Sequence, residues 1–259
     1  MANLRYGMKE VANVIFFDIN PDSATFKKPV LFLDTLKVSS IENEAETAEA
    51  RGGQGNNKLI SWDFGRTANL TLSDALLSDT SIAMLAGNEM NSTPVAVVGR
   101  EQLKINADGE IVLAHVPIDG TVVVYVYQNG LLGAELTAVE DATATGDGLD
   151  KTFTITGGTN GQSVMAFYEY MTADGTSNQI VFSGNKFPST YRVVGETLVR
   201  GEDGVDRKMQ FEVPKAKMQS TFSLTMDVEN VATFDFNLEV LMDAQSDDKT
   251  LYKITRLDN

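Results

Sequence analysis

The 259-residue sequence predicts a mainly β fold of antiparallel strands with one short α-helix. Three observations predict it. Apolar and polar residues alternate with a period of two in several runs, the pattern of a half-buried strand. Asp-Gly and Asn-Gly dipeptides separate many of the runs, as tight reversals between antiparallel strands require. Only one segment carries both a good helix start and a good helix stop.

In chain order, residues 30–33 are a short apolar run, read as a strand. Residues 41–50 are rich in Glu and Ala and stop at Gly52-Gly53. They read either as a helix or as an extended, mobile excursion, because Glu42, Glu44, Glu46 and Glu49 have no basic partner one turn away and Glu42 repels Glu46 in a helix. The convincing helix follows: Ser78-Asp79-Thr80-Ser81 offers an N-cap, residues 82–86 are apolar, and Gly87 suits the stop, with Leu76-Leu77 as an upstream extension.

Asp108-Gly109 lies between residues 103–105 and 111–113 and reads as a hairpin. The apolar run 122–127 precedes Asn129-Gly130, residues 152–156 alternate, and Asp174-Gly175 separates the runs 164–170 and 180–182. Residues 209–213 form an alternating strand closed by Pro214, and residues 222–228 form another. The clearest strand is 233–240, with Phe234, Phe236, Leu238 and Val240 on one face and Asp235, Asn237 and Glu239 on the other. Residues 94–173, rich in small residues and carrying strands of their own, read as a β-rich block inserted in a discontinuous domain made of 1–93 and 174–259.

Composition narrows the chemistry. With 36 acids against 21 bases the net charge is −15, which repels nucleic acid instead of gripping it and also favours solubility. No cysteine is present, excluding disulfides, thiolate metal sites and a cysteine nucleophile. His115 is the single histidine, so a multi-histidine metal site is impossible. No stretch approaches the roughly 20 apolar residues of a spanning helix, and residues 1–9 lack a signal peptide's apolar core. The expectation is synthesis in a cytosol, with no membrane partner and no cofactor.

Several motifs are set aside. Residues 52–58 hold glycines and Lys58 without the spacing or the following helix of a phosphate loop. The acidic turns 141–150 and 202–206 lack the ligand spacing of a calcium loop and read as solvated turns. His115 reads as a strand-end residue, and no catalytic residue is assigned. Trp62, the sole tryptophan, reads as a core or interface anchor in preference to a sugar platform.

The residues Ala48-Glu49-Ala50-Arg51-Gly52-Gly53-Gln54-Gly55-Asn56-Asn57-Lys58-Leu59, then Trp62-Asp63-Phe64-Gly65-Arg66-Thr67-Ala68-Asn69-Leu70-Thr71-Leu72 and the helix beyond, resemble tail-tube proteins of long-tailed phages. The alternating C-terminal strands, ending in Leu251-Tyr252-Lys253-Ile254, fit the same family. The resemblance covers roughly the first 90 and last 70 residues. It implies an antiparallel β-sandwich or barrel subunit of the tail-tube type with a small flanking helix. Such subunits form rings, usually hexameric, stacked into a hollow tube of a virion tail; the partners are copies of the chain and other tail proteins, and DNA is a passing cargo.

Two sets of candidate residues follow. Asp227, Asp235 and Glu239 sit on polar strand faces, either lining the channel, where carboxylates repel passing phosphates, or on an ordinary solvated face. The excursion 39–58, carrying Glu42, Glu44, Glu46, Glu49, Arg51 and Lys58, is long for a connection in a compact domain. It reads either as an inter-ring loop that orders on stacking or as a surface loop. Two rival functions remain: another ring component of the tail or baseplate, and a carbohydrate-binding or hydrolytic β-sandwich, which exposed aromatics would favour.

Overall fold

The computed structural model describes residues 5–8, 10–140, 151–223, 233–244 and 246–257. The chain forms two compact units, Met1–Met90 with Ile180–Asn259, and Asn91–Gln179. The first unit begins with β1 (Tyr6–Met8), β2 (Asn13–Asp18), β3 (Pro29–Leu33), β4 (Leu36–Gly52), β5 (Asn57–Asp74) and α1 (Asp79–Ala86). The second holds β6 (Ala96–Lys104), β7 (Glu110–Val112), β8 (Val123–Gln128), β9 (Leu131–Glu140), β10 (Thr152–Thr156) and β11 (Ser163–Met171). The chain returns to the first with β12 (Thr190–Gly201), β13 (Asp206–Met218), β14 (Phe234–Val240) and β15 (Lys253–Leu257).

The fold is mainly β and antiparallel, as the alternation and turns predict. In the first unit nine strands make one sheet in the order β3-β2-β12-β13-β14-β5-β4, with β1 beside β12 and β15 beside β13. The sheet curls into a half-barrel, so one core gathers Phe16 of β2, Leu70 and Leu72 of β5, Val193 of β12, Val213 of β13 and Phe236 of β14. β14 shows the physics: Phe234, Phe236, Leu238 and Val240 are buried while Asp235 and Glu239 are exposed. Each buried Phe or Leu contributes about 1.5–3 kcal/mol of transfer free energy, enough to fix which face turns inward.

α1 packs Leu85 into this core. Its start is a reciprocal cap: Ser78 Oγ accepts the Ser81 N–H and Ser81 Oγ accepts the Ser78 N–H, each at 3.1 Å. Leu76 and Leu77 precede the cap and do not extend the helix. Gly87 ends it with φ 61°, in the left-handed region, and a Cβ there would lie 2.2 Å from the Phe187 carbonyl oxygen.

Four expectations are corrected. The helix alternative for residues 41–50 fails, because β4 pairs with β5 along its length, an extended strand that sets Glu42, Glu44 and Glu46 on one face and Glu49 on the other. Pro214 does not close its strand. Val193 faces Val213 and Tyr191 faces Ala216, so Arg192 opposes both Pro214 and Lys215 in a bulge, where the missing N–H leaves no ladder gap. On its other edge β13 pairs with β15 before the proline and with β14 after it. Residues 180–182 form no strand. Of the run 222–228, Phe222 and Ser223 are outside any strand and the rest, Asp227 included, lies outside the described residues.

The second unit is a six-stranded sheet in the order β6-β11-β8-β9-β10-β7. Asn129 (φ 54°) and Gly130 (φ 80°) make the two-residue turn that joins β8 to β9. At Asp108-Gly109 the turn forms, with the Asn106 N–H donating to Glu110 O at 2.9 Å, but the hairpin does not continue. β6 pairs with β11 and β7 with β10, so this turn joins the two ends of the curled sheet. Glu101 of β6 bridges the seam: its carboxylate accepts the Ala114 N–H at 3.0 Å and the Tyr168 hydroxyl. Burial first, then that carboxylate, hold the Tyr168 phenol well above its usual range. Ile105, Ile111, Val124, Phe153, Val164 and Ala166 fill the interior.

Because Gly87 combines a left-handed φ with a close backbone approach, Gly87→Ala is expected to destabilise the first unit by about 1–3 kcal/mol. Chemical denaturation followed by circular dichroism measures this, and an unchanged midpoint contradicts the cap assignment.

Candidate assembly surfaces

The expected loop at residues 39–58 is a two-stranded ribbon. β4 and β5 pair from Leu36 and Asp74 out to Gly52 and Asn57, but β5 also meets β14 only from Ala68 to Asp74. Among the described residues, 57–67 therefore have β4 as their only strand partner, and at about 3.3 Å per residue the ribbon extends roughly 30–35 Å past the sheet. Its tip turns through Gly53 (φ 79°), Gly55 and Asn56, with the Asn56 N–H donating to Gly53 O at 3.1 Å.

A bulge sets which side of the ribbon is apolar. Glu44 faces Thr67 and Glu46 faces Phe64, so Ala45 opposes both Gly65 and Arg66, and Gly65 has φ 59°. The extra residue shifts the alternation of β5 by one. Ala68, Leu70 and Leu72 point into the core, whereas Phe64 faces Glu46, Trp62 faces Ala48 and Ile60 faces Ala50 on the side that continues the sheet's outer face. These three are about half exposed: Ile60 51%, Trp62 55% and Phe64 51%. Trp62 is thus no core residue, and of its two readings the core one is overturned.

The opposite side of the ribbon is polar. Thr47 Oγ1 donates to Asp63 Oδ1 at 3.2 Å, and Glu49 accepts from Arg51 and Lys58, each at 2.6 Å. Lys58, then Arg51, hold the Glu49 carboxyl below its usual range. Of the sequence candidates, the structure thus gathers Glu49, Arg51 and Lys58 at the tip and sets Glu42, Glu44 and Glu46 in a row on the other side. Among the described residues those last three form no ion pair.

The outer face of the sheet carries both signs of charge. Register aligns Glu42, Asn69, Glu239, Lys217 and Thr190 across five strands, and Asp235 stands opposite Ser73. Farther along are the pairs Arg192 with Glu212 at 2.7 Å, Lys208 with Glu196 at 2.7 Å and Arg200 with Asp206 at 2.6 Å. Asp235 and Glu239 are therefore exposed on a mixed face, with Lys217 beside Glu239. In the turn at residues 202–206, Arg207 holds Asp203 at 2.6 Å and brings its pKa down to about 2. His115 stacks on Tyr170 with centroids 4.0 Å apart.

Among the described residues, at the two ends of the larger sheet, β3 pairs only with β2 and β4 only with β5. Their outward backbone groups are open to another strand. Period-two reading misses the Ile60, Trp62 and Phe64 stripe because it assigns these residues to the face of Leu70. The only signal against it is a glycine, Gly65, inside a strand.

A half-barrel with open ends and a projecting ribbon defines a β-sheet protein whose distinctive surfaces are edges and an arm. The chain belongs to the YomU/Tube protein family, whose model matches residues 6–254, that is, both units. No curated protein matches it.

Glu49 is expected to titrate below the ordinary 4.5 in a carboxyl-carbon NMR titration, and Lys58→Ala with Arg51→Ala to restore the ordinary value. Its folded pKa is depressed, so its contribution to the tip is present above 4.5 and is lost as pH falls through the lowered value. An unshifted wild-type titration removes this pairing.

Proposed function

We propose that this chain is a structural subunit of a phage tail tube. Copies join through the open strands at the ends of the larger sheet, closing a ring that leaves no edge unpaired. Rings stack through the β4–β5 arm, and DNA passes along the channel. Membership of a tube-protein family supports the reading, and one observation carries it: a ribbon that holds Ile60, Trp62 and Phe64 in water in the single chain. Roughly half-exposed side chains of this size on one stripe gain about 25 cal/mol per Å2 when a partner covers them.

In this reading the outer face lines the channel. Its mixture of carboxylates with paired lysines and arginines keeps the local field weak or negative, so the backbone of DNA finds few free cations to hold it.

Electron microscopy of the concentrated protein is expected to show hollow tubes or stacked rings; particles that stay monomeric at every concentration overturn the reading. Because Trp62 is the sole tryptophan, its fluorescence reports the arm directly, and assembly is expected to shift the emission to the blue and reduce acrylamide quenching. Asp235→Lys with Glu239→Lys is expected to leave tube formation intact while slowing DNA ejection, since added cations grip phosphate. Ejection at the normal rate would remove both residues from the channel wall.

A further inference from the structure

The first unit contains a cavity of about 570 Å3 beside the Pro214 bulge. Phe17, Phe26 and Pro214 supply apolar walls, and Lys27, Arg192 and Lys215 supply cations. The cations are held at aromatic faces: Lys27 Nζ lies 5.1 Å from the Phe26 centroid and the Arg192 guanidinium 5.1 Å from that of Phe17. Arg192 also donates to Glu212 at 2.7 Å, which fixes its fork in place. Lys215 is exposed at the bulge, with no ion pair among the described residues. Asp18 lines the cavity too, but its carboxylate is engaged within its own loop, accepting from Thr25 Oγ1 at 2.6 Å and from the Asn20 N–H at 2.8 Å. Asp243 stands at the same rim.

We infer that this cavity is the seat for the arm of a second copy of the chain, with Phe64 or Trp62 entering between Phe17, Phe26 and Pro214 while Glu44 and Glu46 meet Lys27 and Lys215. The inference rests on the tube reading and names the surface that receives the arm.

Complementarity of shape and charge carries it. The bulge at Gly65 puts Phe64 and Trp62 on the same side as Glu42, Glu44 and Glu46, so one strip of the arm presents aromatic rings and unpaired carboxylates together. The cavity presents the reciprocal pair, an aromatic and proline floor under a cationic rim. Within a single chain the contact does not form, since the arm leaves the sheet at β5 and the cavity lies beyond β14, at β13, β12 and β2. The exposed state of Trp62 and Phe64 agrees with that separation.

Reciprocal charge reversal tests the seat. Lys27→Glu with Lys215→Glu is expected to weaken ring stacking about a hundredfold, because like charges across an interface are strongly unfavourable. Glu44→Lys with Glu46→Lys is expected to do the same, and the chain carrying all four substitutions is expected to recover long tubes, read as mean length by electron microscopy and sedimentation. All four residues changed are exposed, and thermal melting of each variant checks that it still folds. Tubes whose length is indifferent to Lys27→Glu with Lys215→Glu, or four-fold variants no longer than either pair alone, overturn the seat and leave the tube reading standing. Stacking lost in the cavity variant and restored by added polyanion points to nucleic acid as the occupant and equally overturns it. If the unaltered chain forms neither rings nor tubes, the tube reading falls and takes the seat with it.

Discussion

A backbone amide in a sheet bonds either to a neighbouring strand or to water, and among the described residues the strands at both ends of the larger sheet have a strand neighbour on one side alone. β4 is the extreme case, 17 residues whose outer edge meets no other described strand. A solitary protein usually shortens, charges or covers such an edge. Here the charge is present, as Glu42, Glu44, Glu46 and Glu49, yet the strand is long enough to remain a template for pairing. The core, the curl and the arm are all arranged around that open margin: Leu70 and Leu72 anchor β5 in the interior so that its far half can stand free.

How much of this was legible in the sequence depends on how local the controlling physics is. The cap of α1 was readable to the residue, because Ser78, Ser81 and Gly87 act on the backbone within one turn. The two faces of residues 233–240 were readable because a period of two has one solution when four large apolar residues share a side. What escaped was governed by partners distant in sequence. Whether residues 41–50 coil or extend is decided by pairing with β5, which intrinsic preference does not report. Pro214 looked like a terminator until Arg192 was seen to oppose two residues at once. The candidate site was legible in composition but not in geometry: the acids and Trp62 were singled out, whereas the side on which they stand turns on a single inserted residue at Gly65.

That residue has an effect out of proportion to its size. Without it, Phe64, Trp62 and Ile60 would continue the side of Leu70, and the arm would be apolar where it joins the interior and charged on the outer side. With it, the apolar stripe and the acids of β4 share one side, and the ion-paired tip residues Glu49, Arg51 and Lys58 share the other. The ribbon thus has two unlike surfaces, one that gains by being covered and one already content in water.

The seam at Asn106 to Gly109 gives the smaller sheet a different fate. Its first and last strands, β6 and β7, are joined by a tight turn and bridged by Glu101, so the margins of that sheet are pinned to each other at one end. Among the described residues neither has a second strand partner. An edge anchored in this way is less free to swing toward an incoming strand than β4, which stands clear of its own sheet.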